Sequence, residues 1–181
     1  ALWEKRIVHA PSTAIAVSGD TIWVAGTERK IHALDARTGK RYWRRNLPGL
    51  AVAPVFAAGD RVLIGIGPPS PSAVAVHREN GHPAWVVRLP SAPVSFARHG
   101  EILIVATAKG TVHGLALIDG AARWERSLDR PIAGIARRDS LLWVLGRNDS
   151  LWCLSAKNGA TRQFAMANWT ADSCVMPTGT S

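Results

Sequence analysis

Ile31-His32-Ala33-Leu34-Asp35-Ala36-Arg37-Thr38-Gly39-Lys40-Arg41-Tyr42-Trp43 carries the spacing that decides the fold. Leu34 precedes Gly39 by five residues, and Trp43 follows that glycine by four. The five-residue step recurs at Val76 and Gly81, Leu115 and Gly120, and Leu154 and Gly159. Trp85 and Trp124 stand four residues after the second and third glycines. In the fourth copy Gln163 holds that place and Phe164 follows it, so this copy has slipped.

Upstream of each landmark lies an apolar run, and the runs keep a 40-residue step: Ile22-Trp23-Val24, Val62-Leu63-Ile64, Ile102-Leu103-Ile104 and Leu142-Trp143-Val144. A turn pair precedes each: Gly19-Asp20, Gly59-Asp60, His99-Gly100 and Arg138-Asp139. Gly and Asp tolerate the dihedrals of tight hairpins. Trp3 stands 40 residues before Trp43, and Leu2-Trp3-Glu4-Lys5-Arg6 echoes Arg123-Trp124-Glu125-Arg126. The chain therefore opens on the last strand of a preceding unit.

Within the first copy, turn residues divide four short strands, near Ala14 to Ser18, Thr21 to Gly26, Lys30 to Leu34 and Lys40 to Arg45. Beta-branched residues suit the second strand to a buried sheet interior. No segment shows a helical period. In the second copy Gly67-Pro68-Pro69-Ser70-Pro71 cannot be a central strand and reads as a surface loop. Four strands per unit of about 40 residues is the β-propeller blade pattern. The expectation is an all-β chain, a propeller of four four-stranded blades over 1–168. The repeats fall at about 8–47, 48–89, 90–128 and 129–168, with 1–7 a strand of a neighbouring or closing blade and 169–181 a C-terminal tail. Trp3, Trp43, Trp85 and Trp124 are then wedges that dock one blade on the next. Losing one such ring costs ~3–5 kcal/mol of a total stability of ~5–15 kcal/mol.

Composition agrees with a globular domain. Apolar residues make up 47% of the 181 and charged residues 19%, with eight tryptophans against one tyrosine and three phenylalanines. No apolar run approaches the ~18 residues of a membrane-spanning helix, and the first residues resemble no signal-peptide core. Lys and Arg exceed Asp and Glu by 22 to 13, a net charge of +9 that favours acidic partners. Two cysteines are too few for a disulfide scaffold; Cys153 reads as a buried free thiol in a strand, and Cys174 lies in the tail.

The Ala33-Leu34-Asp35-Ala36-Arg37-Thr38-Gly39-Lys40 stretch leading to Trp43 resembles the quinoprotein-type (PQQ-like) propeller repeat family. Later copies keep the glycine but replace Asp35 by His77, Ala116 and Ser155. The resemblance implies the propeller fold and docking tryptophans. The family holds quinone-dependent alcohol and sugar dehydrogenases of about eight blades. It also holds non-enzymatic propellers, among them a lipoprotein of the outer-membrane assembly machinery and sensor ectodomains. The calcium ligands and adjacent cysteines of the enzymes have no counterpart here, so no catalytic, cofactor or metal residue is carried over. Four repeats leave three architectures open: a compact four-blade ring, an eight-blade ring of two chains, and an arc completed by a partner. The compact ring is the one favoured. The resemblance implies a periplasmic or membrane-peripheral location.

Catalytic motifs with nucleophile elbows, phosphate loops or zinc-binding helices do not occur. His32 and His113 occupy one place in their repeats, but Val74 and Trp152 fill it in the others, so a ring of ligands is excluded. Arg41, Arg44, Arg45, Arg123, Arg126 and Arg130 fall on or after outer strands and form a candidate rim for an acidic protein partner or an anionic membrane. Nucleic acid is disfavoured, since its stacking aromatics would have to come from the core. Trp169 in the tail either packs back on the ring or is an anchor that inserts into a partner. The expected function is a non-catalytic scaffold or adaptor, a peripheral subunit of a larger assembly, with a membrane complex among the candidates. The alternatives are half of a quinone-dependent dehydrogenase, a small-ligand sensor, and, in assembly terms, a homodimer.

Overall fold

The computed structural model describes residues 3–4 and 15–161. Fifteen strands and no helix fill the described residues, and no helix is long and apolar enough to cross a membrane. The first sheet holds β1 (Ala16–Ser18), β2 (Thr21–Gly26), β3 (Lys30–Asp35) and β4 (Arg41–Asn46) in chain order. The second holds β5 (Phe56–Ala58), β6 (Arg61–Ile66), β7 (Ser72–His77) and β8 (Pro83–Arg88). The third holds β9 (Pro93–His99), β10 (Ile102–Thr107), β11 (Thr111–Ala116) and β12 (Ala122–Ser127). The fourth holds β13 (Ile132–Arg138), β14 (Leu141–Gly146) and β15 (Leu151–Ser155). A bridge from Leu154 to Thr161 continues the fourth sheet. The remainder of the expected fourth repeat, 162–168, lies outside the described residues.

All pairings are antiparallel, and in each sheet the first two strands are joined by a two-residue hairpin. The first strands gather: β1 lies against β5, β5 against β9, and β9 against β13. This all-β stack of four antiparallel sheets is consistent with a β-propeller.

The sheets alternate their side chains between two neighbours. One core joins Trp23, Ala25, Ile31 and Trp43 of the first sheet to Val62, Ile64 and Val74 of the second. The next joins Leu63, Ala73, Ala75 and Trp85 to Leu103, Val105 and Leu115 of the third. A further core joins Ile104, Ala106 and Val112 to Ile132, Leu142, Val144 and Leu154 of the fourth. Period-2 alternation places 62 and 64 on one face and 63 on the other, so each central strand is apolar on both sides. Arg78 adds a polar stitch: its guanidinium sits 5.1 Å from the Trp23 ring centre and donates to the Ser18 carbonyl at 2.8 Å.

The strict 40-residue step does not survive in the structure. The second strands begin at Thr21, Arg61, Ile102 and Leu141, giving steps of 40, 41 and 39. The third turn is Gly100-Glu101 and the fourth Asp139-Ser140, one residue later than the pairs read from the sequence. Left-handed φ values of 56° at Gly100 and 53° at Asp139 mark the first turn residue in each, as at Gly19 and Gly59. The third apolar run equivalent to Ile22-Trp23-Val24 is therefore Leu103-Ile104-Val105. A one-residue slip exchanges the two faces of a strand, and the cores show which register is realised.

Candidate docking surface

The repeated tryptophans share one geometry. Trp43 on β4 lies over Gly81 of the second sheet, and its indole N–H donates to the Arg78 carbonyl at 3.0 Å. Trp85 on β8 lies over Gly120 of the third sheet and donates to the Leu117 carbonyl at 3.0 Å. Trp3 lies over Gly39 and donates to the Ala36 carbonyl at 3.1 Å. Each accepting carbonyl stands three residues before its glycine. Trp124 on β12 lies over Gly159 in the same way, yet its indole N–H has no hydrogen-bond partner among the described residues. The cause is local: Trp124 pairs with Gly114, where the equivalent residues are Ala33 and Ala75, and the indole nitrogen sinks onto the missing Cβ.

The turn that seats Trp3 is the most polar of the four. Asp35 accepts from the backbone N–H of Arg37 and Thr38, from the Thr38 hydroxyl, and from the Tyr42 hydroxyl. The Tyr42 hydroxyl, then the Thr38 N–H and hydroxyl, hold the Asp35 carboxyl down at about 2, and Asp35 in turn raises Tyr42. The backbone bond closing the turn recurs at Gly81, Gly120 and Gly159, but His77, Ala116 and Ser155 do not supply the carboxylate. The Asp35-to-Tyr42 spacing of seven is the one mark of this pair in the sequence.

The candidate rim arginines do not form one patch. Arg41, Arg44 and Arg45 lie on β4 of the first sheet, while Arg123 and Arg126 lie on β12 of the third, with Arg130 in the loop beyond. The second sheet, with Arg88 on β8, stands between them. Arg41, Arg44, Arg123, Arg126 and Arg130 are exposed. Arg45 is half-buried: its stem lies beside Gly81, and its guanidinium meets the His82 ring at 3.3 Å. Arg126 donates to the Thr161 hydroxyl at 3.0 Å. None of the six forms an ion pair among the described residues. Trp169 lies outside the described residues, as does Cys174; Cys153 is buried on β15.

His32 and His113 are each tied to a glutamate of their own sheet. His32 Nε2 lies 2.9 Å from Glu28 Oε1, and His113 Nδ1 lies 3.2 Å from Glu125 Oε2. The His32 contact and then Lys30 lower the Glu28 carboxyl. Burial lowers His113, with Glu125 pulling the other way. The two rings sit on nonadjacent sheets, and no metal-ligating cluster occurs among the described residues.

Comparison with known proteins places this geometry. A family profile described as outer membrane protein assembly factor BamB matches residues 1–137. The BamB of Yersinia pestis is 26% identical over 130 residues, covering 64% of this chain and 32% of that protein. The crystal structure of BamB from Moraxella catarrhalis superposes with a TM-score of 0.70 at 20% identity, over 83% of this chain and 51% of that one. The computationally designed Ika4 protein superposes with a TM-score of 0.71 at 12% identity, over 84% of this chain and 99% of that one. The chain thus spans about a third of the curated relative and about half of the BamB structure. At those identities the structural likenesses speak for the fold alone. The profile covers well over half of the sequence, and the chain belongs to the PQQ-like repeat family described as outer membrane protein assembly factor BamB.

Proposed function

We propose that this chain is a non-catalytic propeller scaffold, a peripheral subunit of an outer-membrane assembly complex. The family match carries this reading: the relatives that share its sequence pattern are named as assembly factors. The surface chemistry supports it, because the exposed arginines of β4 and β12 carry no acidic partner among the described residues and so keep their charge for a neighbour. In this proposal Trp3, Trp43, Trp85 and Trp124 fix the sheets relative to one another. The arginine patches of β4 and β12 then meet an acidic protein surface at a set spacing, with Trp169 in the tail as a further anchor. Two separated patches suit a partner that spans the second sheet.

The test is the mass and composition of the native particle, extracted gently at low salt, with and without Arg41→Glu/Arg44→Glu and Arg123→Glu/Arg126→Glu. Rim charges act through steering and are screened within a Debye length of ~10 Å at 0.1 M salt. The expected result is a hetero-complex with outer-membrane assembly proteins that loosens with salt and with either pair of substitutions. A bare particle at low salt, or binding indifferent to salt and to both pairs, overturns the proposal. Dye-linked alcohol or sugar oxidation in the intact particle would overturn its non-catalytic part.

A further inference from the structure

A cavity of about 530 Å³ opens where the first strands of the second, third and fourth sheets converge. Phe56 of β5, Phe96 of β9 and Ile135 of β13 make its apolar part, and Phe56 and Phe96 stack with ring centres 6.4 Å apart. Arg98 of β9 and Arg137 of β13 make its polar part. These two arginines are structural equivalents, each two residues before the left-handed first residue of its turn, Gly100 and Asp139.

Their own turns hold both guanidinium groups in place. Arg98 Nε donates to the Gly100 carbonyl at 2.7 Å and Arg137 Nη1 to the Asp139 carbonyl. Arg98 shares Glu101 at 3.0 Å, whereas Arg137 has no acidic partner among the described residues. The cavity therefore carries uncompensated positive charge beside an apolar floor. A third feature narrows the ligand: β5, β9 and β13 are end strands, and the edges that they turn away from their sheets pair with no strand among the described residues. Such edges offer backbone N–H and C=O groups to an extended chain.

We propose that this cavity binds an acidic peptide segment, a carboxylate side chain meeting Arg98 and Arg137 while a neighbouring apolar side chain covers Phe56 and Ile135. A small anion would use the arginines and leave the apolar floor and the strand edges unused. The peptide uses all three. This site is separate from the arginine patches of β4 and β12 and stands or falls apart from them.

The probe is a rhodamine-labelled acetyl-Phe-Glu-Phe-Glu-Phe-amide peptide, titrated with the full chain and followed by fluorescence anisotropy. Its partner probe replaces both glutamates by glutamine. Saturable binding of the acidic probe is expected, at least tenfold tighter than the glutamine probe. Arg98→Gln/Arg137→Gln should weaken it tenfold or more, Arg137→Gln alone several-fold, and Lys40→Gln/Lys157→Gln, two exposed cations outside the cavity, not at all. Both pocket arginines reach solvent, and an unchanged circular dichroism spectrum checks that the variants fold. Equal affinity for the two probes overturns the proposal, as does binding unaffected by the double substitution. So does competition by free acetate as strong as by unlabelled peptide, or a double substitution that abolishes binding to anionic lipid vesicles and spares the peptide.

Discussion

Gly81→Ala should be far costlier than Gly100→Ala, although both replace a glycine with left-handed φ by the same residue. At Gly100 the φ is 56° and a Cβ would meet nothing within 4 Å. Only the backbone penalty of ~1–2 kcal/mol applies there. At Gly81 the φ is 69°, and a Cβ would stand 2.6 Å from Trp43 Cε3 and 2.8 Å from Arg45 Cγ. The arginine stem can move aside. The indole is 8% exposed and tied to the Arg78 carbonyl, so it cannot move without loss. Displacing it adds an overpacking cost of ~1–3 kcal/mol and removes a hydrogen bond worth about 1 kcal/mol. The total is ~3–6 kcal/mol, against ~1–2 kcal/mol at Gly100. Urea unfolding followed by circular dichroism measures both.

The decisive arm is a cycle with Trp43→Leu. Without the indole plane, Gly81→Ala should cost only its backbone part, leaving a coupling energy of about 2 kcal/mol or more. Equal penalties at Gly81 and Gly100, or a Gly81→Ala cost unchanged by Trp43→Leu, would refute the view that these rings wedge one sheet against the next.

Three further outcomes follow from the geometry. Trp43→Phe and Trp85→Phe should each lose about 1 kcal/mol more than Trp124→Phe in the same unfolding assay, because of these three indoles the Trp124 one alone has no acceptor among the described residues; equal losses would disprove the role given to Gly114. Burial places His113 below the ordinary histidine value of 6.5, so the unfolded chain binds the extra proton first: stability is complete above about pH 6.5 and declines as pH falls below it. The unfolding midpoint should therefore drop more between pH 7.5 and pH 5 in the wild type than in His113→Gln, and parallel drops would exclude this source. Tyr42→Phe should raise the Asp35 carboxyl above about 2, yet leave it under 3.8, since the Thr38 donors remain; carboxyl carbon shifts in an NMR titration would show it, and an unmoved Asp35 would deny the Tyr42 hydrogen bond in solution.

The sequence by itself determined the repeating unit, the all-β class and the family resemblance. The reason is that each rests on local chemistry. Glycine in a left-handed turn, tryptophan four residues on, and an apolar strand before them are readable wherever neighbours in sequence are neighbours in space. The strands of the first copy, at Thr21–Gly26 and Lys30–Asp35, fall within a residue of where the pattern puts them. Tertiary structure decided the rest. Turn lengths that vary by one residue leave an average period of 40 intact, and only the facing sheets show that Leu103, not Ile102, is the residue equivalent to Val62. Arginines that look like one rim in the sequence divide between two nonadjacent sheets, because their spacing along the chain says nothing of the sheet between them. Arg98 and Arg137 escape a reading of the sequence for the same reason. Their shared place two residues before a turn is visible only once the register is known, and their meeting depends on how the first strands converge. Distances across sheets are set by packing, and packing is where one-residue shifts and a single Gly114 change what a side chain can touch.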